Sequence, residues 1–164
     1  MTMKVEVPGG EPLILMIRTF DAPRELVWTA FTEPQHVSKW YGGSAFGGHV
    51  RSMDVRKGGL WQHTARFADG REVELDFVYL EVVRPERLVW TNAPGKPLQP
   101  GMMHVENTVT LEDAGAQTRW KLVARFDSIA DRDQAVANGF ARVIEAGSET
   151  LNEMLRALAR AAGS

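Results

Sequence analysis

The four histidines are the side chains of this chain best suited to acid–base or metal chemistry: His36, His49, His63 and His104. No two of them have a spacing that would place both on one face of a helix or strand, and the sequence contains no cysteine. A zinc site would therefore need carboxylates from distant parts of the chain. We expect neither a metal ion nor a cofactor, since the sequence also lacks a dinucleotide-binding or phosphate-binding glycine motif.

His63 differs from the other histidines because it lies in a segment with strand periodicity. From Leu60 onwards the side chains alternate, and one face takes Trp61, His63, Ala65 and Phe67. A buried histidine is most often a core polar group with satisfied hydrogen bonds. The functional alternative is that His63 hydrogen-bonds a ligand or acts as an acid or base.

Three tryptophans, Trp61, Trp90 and Trp120, also stand in phase with apolar strand residues. A large ring with an N–H group suits the wall of a binding pocket, and it suits a packed core as well. Asn107 interrupts the apolar face of the segment 103–111, so its amide is a further candidate to reach a ligand. A neighbouring strand and a short helix add two aromatic candidates: Phe77 and Trp40.

The carboxylates do not form a recognisable catalytic arrangement. Glu72, Glu74 and Asp76 share one strand face, which is typical of a solvated outer surface. No Ser–His–Asp order is present. Whether the chain is an enzyme is left open by these residues.

Periodicity and turn residues predict the elements that position these side chains. A strand at 13–20 is followed by two short helices, the first capped by Asp21 with Pro23 in its first turn and the second opened by Pro34. An irregularity is expected after Phe77, where the alternation blurs. Asp131 resembles a helix cap before the last helical region. The remaining strands are predicted at 50–56, 60–67, 73–77, 87–92, 103–111 and 118–126.

The stretch 138–160 is the element around which the rest of the chain is organised. Its apolar residues recur at spacings of three and four, which gives one helical stripe: Phe140, Val143, Ile144, Gly147, Leu151, Met154, Leu155 and Leu158. The middle of this stripe is narrow, because Ala146, Gly147 and Ser148 are small. Either Gly147 makes a close packing contact, or a cavity faces it with Phe140 and Ile144 alongside.

A glycine-rich segment lies between the second helix and the next strand. Gly42-Gly43 and Gly47-Gly48 flank Phe46. The pattern predicts either a flexible lip at the mouth of a cavity or a plain surface loop.

The order of the elements predicts an α+β domain, with a strand, two short helices, about six antiparallel strands and a long helix. A curved, twisted antiparallel sheet wrapped around the long helix would close its own apolar face and could enclose a cavity. Pro8, Gly9, Gly10 and Pro12 indicate a flexible N-terminal arm at 1–12. The residues 13–164 are expected to form a single domain.

Composition narrows the classes of partner. The chain has 164 residues and a net charge of −2, which gives no reason to expect nucleic acid or anionic lipid. No signal peptide or membrane-spanning stretch is recognisable. We therefore expect no membrane insertion and a cytoplasmic location.

Several stretches carry a resemblance to a known family over residues 13–158. They are FDAPRELVW (20–28), KWYG (39–42), MDVRKGG (53–59), ADG (68–70), YLEVVRPERL (79–88) and the final helix with its glycines at 139 and 147. In these stretches the chain resembles the START and birch-pollen-allergen-like (SRPBCC) superfamily. More narrowly, it resembles the branch of the activator of heat-shock-protein-90 ATPase homologue.

The resemblance implies the helix-grip fold, with an internal apolar cavity between the sheet and the final helix. Members of the wider superfamily bind lipids, sterols, polyketides and plant hormones, and some are cyclases or dehydratases. The branch has no shared catalytic set to carry over to this chain. The co-chaperone role that gave the branch its name does not follow from the fold.

The sequence thus favours a protein that binds a small hydrophobic molecule, of lipid, polyketide or aromatic type, in an internal cavity. The alternatives are a cyclase or dehydratase that uses His63 and a co-chaperone-like module that binds proteins. We do not expect a chaperone partner, and a homodimer is left open. The candidate ligand-binding residues are Trp40, Phe46, Trp61, His63, Phe77, Trp90, Asn107, Trp120, Phe140, Ile144 and Gly147.

Overall fold

The computed structural model describes residues 3–42, 46–99 and 102–163. Its strands and helices follow the predicted order closely. In chain order they are β1 (Lys4–Glu6), β2 (Leu13–Phe20), α1 (Arg24–Thr32), α2 (Pro34–Trp40), β3 (His49–Met53), β4 (Leu60–Arg66), β5 (Glu72–Val83), β6 (Arg87–Asn92), β7 (Val105–Ala114), β8 (Gln117–Phe126), α3 (Ile129–Ala137) and α4 (Phe140–Ala162).

The eight strands of the described residues form one antiparallel sheet in the order β1-β2-β8-β7-β6-β5-β4-β3. The meander from β3 to β8 closes onto β2, so strands from both ends of the chain are neighbours. Helix α4 packs on the inner face, where Leu151 and Leu155 join the same core as Met16 and Leu122. The predicted α+β class and the long C-terminal helix are confirmed.

Alternation along each strand separates the inner face from the outer one. In β8, Trp120, Leu122 and Ala124 are buried, while the residues between them are exposed or half-buried. The same alternation in β4 buries Trp61 and His63. The strand phase read from the sequence is therefore confirmed for these residues.

One prediction for β5 is confirmed and one for β4 is corrected. In the β5–β6 pair the register shifts between Tyr79 and Glu81, which confirms the predicted irregularity in β5. Phe67 was wrongly placed on the inner face, because β4 ends at Arg66. The ring of Phe67 is exposed, with the guanidinium of Arg71 4.7 Å from its centroid.

The N-terminal segment departs from the predicted loose arm. Lys4–Glu6 pairs with β2, and the side chain of Met3 is buried in the core. The buried guanidinium of Arg132 donates hydrogen bonds to the carbonyl oxygens of Pro8 and Glu11 at 2.6 and 2.7 Å. A charged donor far along the chain thus holds a segment whose own glycines and prolines favour a loop.

Two predicted helix caps are wrong. Asp21 does not cap α1, because its carboxylate accepts hydrogen bonds from Gln117, Asn152 and Arg156. These bonds, with that from Gln117 the strongest influence, lower the pKa of Asp21. The cap of α3 is Ser128, whose hydroxyl accepts from the backbone N–H of Asp131.

The buried face of α4 is rotated from the predicted apolar stripe. Val143 is exposed, whereas the polar residues Ser148 and Asn152 are buried. These two polar side chains can be buried because each forms a hydrogen bond with a residue in β2 or directly after it. Ser148 accepts a hydrogen bond from Arg18 at 2.9 Å, and Asn152 accepts one from the backbone of Asp21 at 3.0 Å.

Candidate functional site

An aromatic group on the inner face of the sheet is the strongest candidate site. We call it the Trp61 cluster, and it consists of Tyr41, Trp61, His63, Phe77, Tyr79 and Trp90. The ring centroids of Tyr41, Phe77 and Trp90 lie 4.8, 4.9 and 5.5 Å from that of Trp61. These are the separations of packed aromatic pairs.

Three adjacent strands and one turn position the Trp61 cluster. In the β4–β5 pair Trp61 lies opposite Phe77, and in the β5–β6 pair Tyr79 lies opposite Trp90. Tyr41 follows α2 and closes the cluster from the helical side. Four side chains that the sequence analysis selected, Trp61, His63, Phe77 and Trp90, are thereby brought together.

The Trp61 cluster contains buried polar atoms without a hydrogen-bond partner among the described residues. They are Trp61 Nε1, Trp90 Nε1, Tyr79 Oη and His63 Nδ1. Folded proteins rarely leave such groups unsatisfied, because each lost hydrogen bond costs about 1–3 kcal/mol. Unpartnered polar atoms on aromatic walls are the feature that a ligand or bound water would satisfy.

Local geometry fixes the state of His63. Its Nε2 lies 3.2 Å from the carbonyl oxygen of Tyr41, which accepts and cannot donate. Nε2 therefore carries the proton, and Nδ1 of the neutral ring is an acceptor. Burial is the main cause that lowers the pKa of His63 to about 4, so the ring is neutral at pH 7.

Tyr79 is also neutral in the Trp61 cluster. Burial is the main cause that raises the pKa of its hydroxyl, and the nearby Tyr41 adds to the effect. Tyr79 can therefore donate a hydrogen bond, as can the indole N–H groups of Trp61 and Trp90. The unpartnered atoms thus comprise three donors and one acceptor.

A second polar group lies at the other end of the inner face. Arg18 is buried, and its Nη1 donates to Ser148 and to the carboxylate of Glu149 at 2.9 and 2.7 Å. Trp120 lies directly opposite Arg18 in the β2–β8 register, and its ring packs on Phe20 at 5.9 Å. Neither Trp120 Nε1 nor Arg18 Nε has a partner in the described part of the chain.

Gly147 does not face open space, which corrects one of the two predicted alternatives. A Cβ atom at this position would lie 2.8 Å from the carbonyl oxygen of Trp40 and 3.8 Å from its ring. The narrow middle of α4 is therefore a close contact with the end of α2. Trp40 itself is a packing residue, since its indole donates to the carbonyl oxygen of Ala30 at 2.9 Å.

The remaining candidates lie apart from the Trp61 cluster or at its border. Phe46 is half exposed, and Gly43 of the predicted lip lies outside the described residues. Phe140 packs edge-on against Phe126 at 5.6 Å, and Ile144 is half-buried. Asn107 is buried beside Trp90, its partner in the β6–β7 register.

Two open pockets of the described residues lie away from α4. One, of about 420 Å³, is lined by outer-face residues such as Val78 and Leu80 and by the loop containing Leu98. The other lies beside the same loop, near Asp76. The interior next to Trp61 is occupied by packed rings, so the internal cavity stays a prediction.

Sequence reasoning missed three side chains of this region. Tyr79 was hidden by the irregularity that blurs the phase of β5, although its burial follows once the register shift is placed. Arg18 lies on the same face of β2 as Met16 and Phe20, so strand parity alone would have placed it inside. Tyr41 is the C-cap residue of α2, and its helical spacing from Val37 does not show that its ring contacts the sheet.

Within the described residues, no group of three or more His, Cys, Asp or Glu side chains is placed to hold a metal ion. No helix of that part of the chain is long and apolar enough to cross a membrane.

Comparison with protein families gives one extended match. The model of the family described as activator of Hsp90 ATPase homolog 1-like protein matches residues 21–162. No curated protein matches the sequence.

Solved structures show the same fold at low sequence identity. The solution structure of a protein from Arthrobacter aurescens has a TM-score of 0.84 at 17% identity, covering 93% of this chain and 91% of that one. A crystal structure from Nitrosomonas europaea has a TM-score of 0.79 at 23% identity, covering 91% and 97%. One from Mycobacterium smegmatis has a TM-score of 0.82 at 17% identity, covering 93% and 95%. These structures confirm the helix-grip fold, and at such low identity they show the fold alone.

Proposed function

The chain belongs to the family of activator of Hsp90 ATPase homolog 1-like proteins, and from this premise we propose that it binds a small, largely apolar molecule between the inner face of its sheet and α4. The ligand would contact the Trp61 cluster and displace part of the present ring packing. The rings would have to move apart, because packed side chains occupy the space next to Trp61.

The unpartnered buried atoms of the Trp61 cluster carry this proposal. A core selected only for packing would hold side chains without polar atoms, or polar atoms with partners. Here Trp61, Trp90 and Tyr79 present donors that the described protein groups leave unsatisfied. An apolar wall with a few polar anchors is the usual composition of a ligand site.

Catalysis by His63 is the second candidate, and the bare Nδ1 lone pair is the observation in its favour. An efficient general base has a pKa near the working pH. The pKa of His63 is lowered to about 4, which makes its ring a weak base at pH 7. Binding is therefore the better supported function, and a turnover that varies with pH around 4 would favour catalysis.

The test is a thermal melt with a panel of fatty acids, sterols and flat polycyclic aromatic compounds. Binding to the folded state raises the melting temperature, and contact with the indoles changes tryptophan emission. We expect at least one class to do both. If every class leaves the melting temperature and the emission unchanged, the proposal is wrong.

A pair of matched variants locates the site. Trp90→Phe removes a ring N–H of the Trp61 cluster, whereas Trp28→Phe changes a buried tryptophan of α1 outside it. We expect Trp90→Phe to weaken binding of the active compound and Trp28→Phe to leave its affinity unchanged. Equal affinities for both variants would place the ligand elsewhere.

The cytoplasmic location and the lack of a chaperone partner stay predictions, and a homodimer stays open. Fractionation, sedimentation and affinity capture would test the three separately. The fold alone does not decide them.

A further inference from the structure

We propose that the outer face of the sheet carries a catalytic site, at which Thr91, His104 and Asp127 hydrolyse an ester with a short apolar acyl group. The fold brings these side chains together from the strand β6, the residue before β7 and the residue after β8. The site lies outside the Trp61 cluster, which is on the inner face, and it does not depend on the function proposed there.

Two hydrogen bonds connect the three side chains. Thr91 Oγ1 lies 3.2 Å from His104 Nε2, and His104 Nδ1 lies 3.1 Å from a carboxylate oxygen of Asp127. A hydroxyl within hydrogen-bond reach of an imidazole, whose other nitrogen is held by a carboxylate, is the arrangement that activates a hydroxyl as a nucleophile.

The carboxylate of Asp127 fixes the tautomer of His104. A carboxylate accepts and cannot donate, so in the neutral ring the proton lies on Nδ1, and the lone pair of Nε2 faces the hydroxyl of Thr91. Thr91 Oγ1 also lies 2.8 Å from the carbonyl oxygen of Val105. Rotation about the Cβ–Oγ1 bond turns the hydroxyl hydrogen from one acceptor to the other and leaves the oxygen in place. His104 can therefore take this proton without movement of the chain.

Thr91 and His104 border one open pocket, which gives the reactive atoms and a substrate a common space. This pocket of about 420 Å³ is lined on its apolar side by residues that include Val78, Leu80 and Leu98. The side chains of Leu80 and Leu98 are exposed, and contact with an acyl chain would remove apolar surface from water. The pocket therefore suits a short acyl group bound beside Thr91.

Two donors on the polar side of the same pocket can stabilise the transition state. Asn92 Oδ1 accepts from the backbone N–H of Val105 at 2.9 Å, which leaves the NH₂ group of this amide as the donor. The ammonium group of Lys96 lies 3.7 Å from the carboxylate of Asp76, beyond hydrogen-bond distance. Donors and positive charge at such a site stabilise the negative charge that develops on the attacked carbonyl oxygen.

The reaction balances with water as the co-reactant. Thr91 Oγ1 bonds to the carbonyl carbon as its proton passes to His104 Nε2, and the ester C–O bond breaks as that proton passes to the leaving alcohol. Water then attacks the acyl-threonine, gives a proton to Nε2 and releases the carboxylic acid as Nε2 returns the proton to Thr91. Water can reach this site, because the side chains of His104 and Asp127 are 47% and 65% exposed.

The test measures hydrolysis of p-nitrophenyl butyrate by the wild-type protein and by matched variants. We expect Thr91→Val and His104→Gln to lower kcat/KM by at least about a hundredfold, since each removes the nucleophile or the base. Thr110→Val and His49→Gln make the same changes at a half-buried strand threonine and an exposed histidine that do not line the pocket. Both controls should keep the wild-type kcat/KM.

The apolar lining of the pocket sets the preference among substrates. p-Nitrophenyl acetate lacks two methylene groups of the butyrate, so its kcat/KM should be about tenfold lower. Equal values for the two esters would mean that the acyl chain does not enter the pocket.

Asp127 is a positioning residue, because it acts through His104. Asp127→Asn should lower kcat on the order of tenfold and leave KM unchanged, since the tautomer of His104 is no longer fixed while the acyl pocket is intact. An unchanged kcat would overturn this role.

A fluorophosphonate identifies the nucleophile in the wild-type protein and covers the case in which a variant does not fold. Its phosphorus bonds to the nucleophilic oxygen as fluoride leaves, and peptide mass spectrometry should locate the adduct on Thr91. An adduct on another residue contradicts the inference, and so does the absence of any adduct.

The kinetic outcomes are equally decisive. Hydrolysis that survives Thr91→Val and is lost in His104→Gln would make the imidazole the nucleophile and overturn the role of Thr91. Hydrolysis that is the same in the wild-type protein and both variants, or absent from the wild-type protein, would overturn the site. None of these results affects ligand binding at the Trp61 cluster, which tryptophan emission tests separately.

Discussion

At the scale of single residues, His63 shows how one backbone contact decides the chemistry of a side chain. The carbonyl oxygen of Tyr41 fixes the proton on Nε2, and full burial keeps the ring neutral. At pH 7 the Nδ1 atom of this residue is therefore a hydrogen-bond acceptor. This state has a measurable consequence for stability.

We predict that the wild-type protein loses stability as the pH falls from 6.5 to 4, relative to His63→Phe. Above pH 6.5 the ring is neutral in both states. Below it the unfolded chain takes up a proton that the folded chain, with its pKa of about 4, does not. The difference corresponds to roughly 3 kcal/mol in the free energy of unfolding, fully lost by about pH 4.

Urea unfolding of both proteins at pH 7.5 and at pH 4.0 measures this difference. Other titrating groups are common to the two proteins and cancel in the comparison. A free-energy difference that stays constant with pH would mean that His63 is already solvated in the folded state.

At the scale of elements, the contact between α2 and α4 depends on Gly147. The carbonyl oxygen of Trp40 approaches so closely that a Cβ atom would lie 2.8 Å away. Because the neighbouring atom is backbone, it cannot move aside as a flexible side chain would. The narrow middle of α4 thus lets α2 pack against it.

We predict that Gly147→Leu destabilises the protein. Replacing glycine gains about 1 kcal/mol of helix propensity. Overpacking costs about 1–3 kcal/mol. The cost outweighs the gain here, because the new side chain clashes with Trp40 and displaces the end of α2. Thermal melts should show a lower melting temperature. Ala146→Leu is the control, since it adds a similar side chain at an exposed neighbouring position and should change stability by less than about 0.5 kcal/mol. A higher melting temperature for Gly147→Leu would restore the cavity at this position.

At the scale of the whole molecule, the pairing of β2 with β8 joins the two ends of the chain. Eight consecutive residue pairs, from Leu13 with Arg125 to Phe20 with Thr118, form this junction. Helix α4 then contacts α1, α2, α3 and β2. Neither the N-terminal nor the C-terminal part completes a core without the other.

We therefore predict a single cooperative unfolding transition. Urea curves followed by far-ultraviolet circular dichroism and by tryptophan emission should coincide. Leu155→Ala, which truncates a fully buried side chain of α4, should shift both curves together by about 2–5 kcal/mol. A shift of the dichroism curve alone would show that α4 unfolds independently of the sheet.

The sequence by itself determined the α+β class, the strand phase and the burial of His63 with Trp61. These follow from local periodicity, because a strand alternates its faces and a helix repeats every 3.6 residues. The family resemblance supplied the helix-grip topology, which the structure confirms.

Only the tertiary structure decided what the inner face contacts. The order of the N-terminal segment depends on Arg132, and the neighbour of Gly147 is the end of α2, both distant in sequence. Tyr41 joins the Trp61 cluster from the C-terminal end of α2 and Tyr79 joins it beside a register shift, and periodicity predicts neither contact. The proton on His63 Nε2 is fixed by a carbonyl group 22 residues away. Such contacts depend on how elements pack, and periodicity reports only which face of an element is buried.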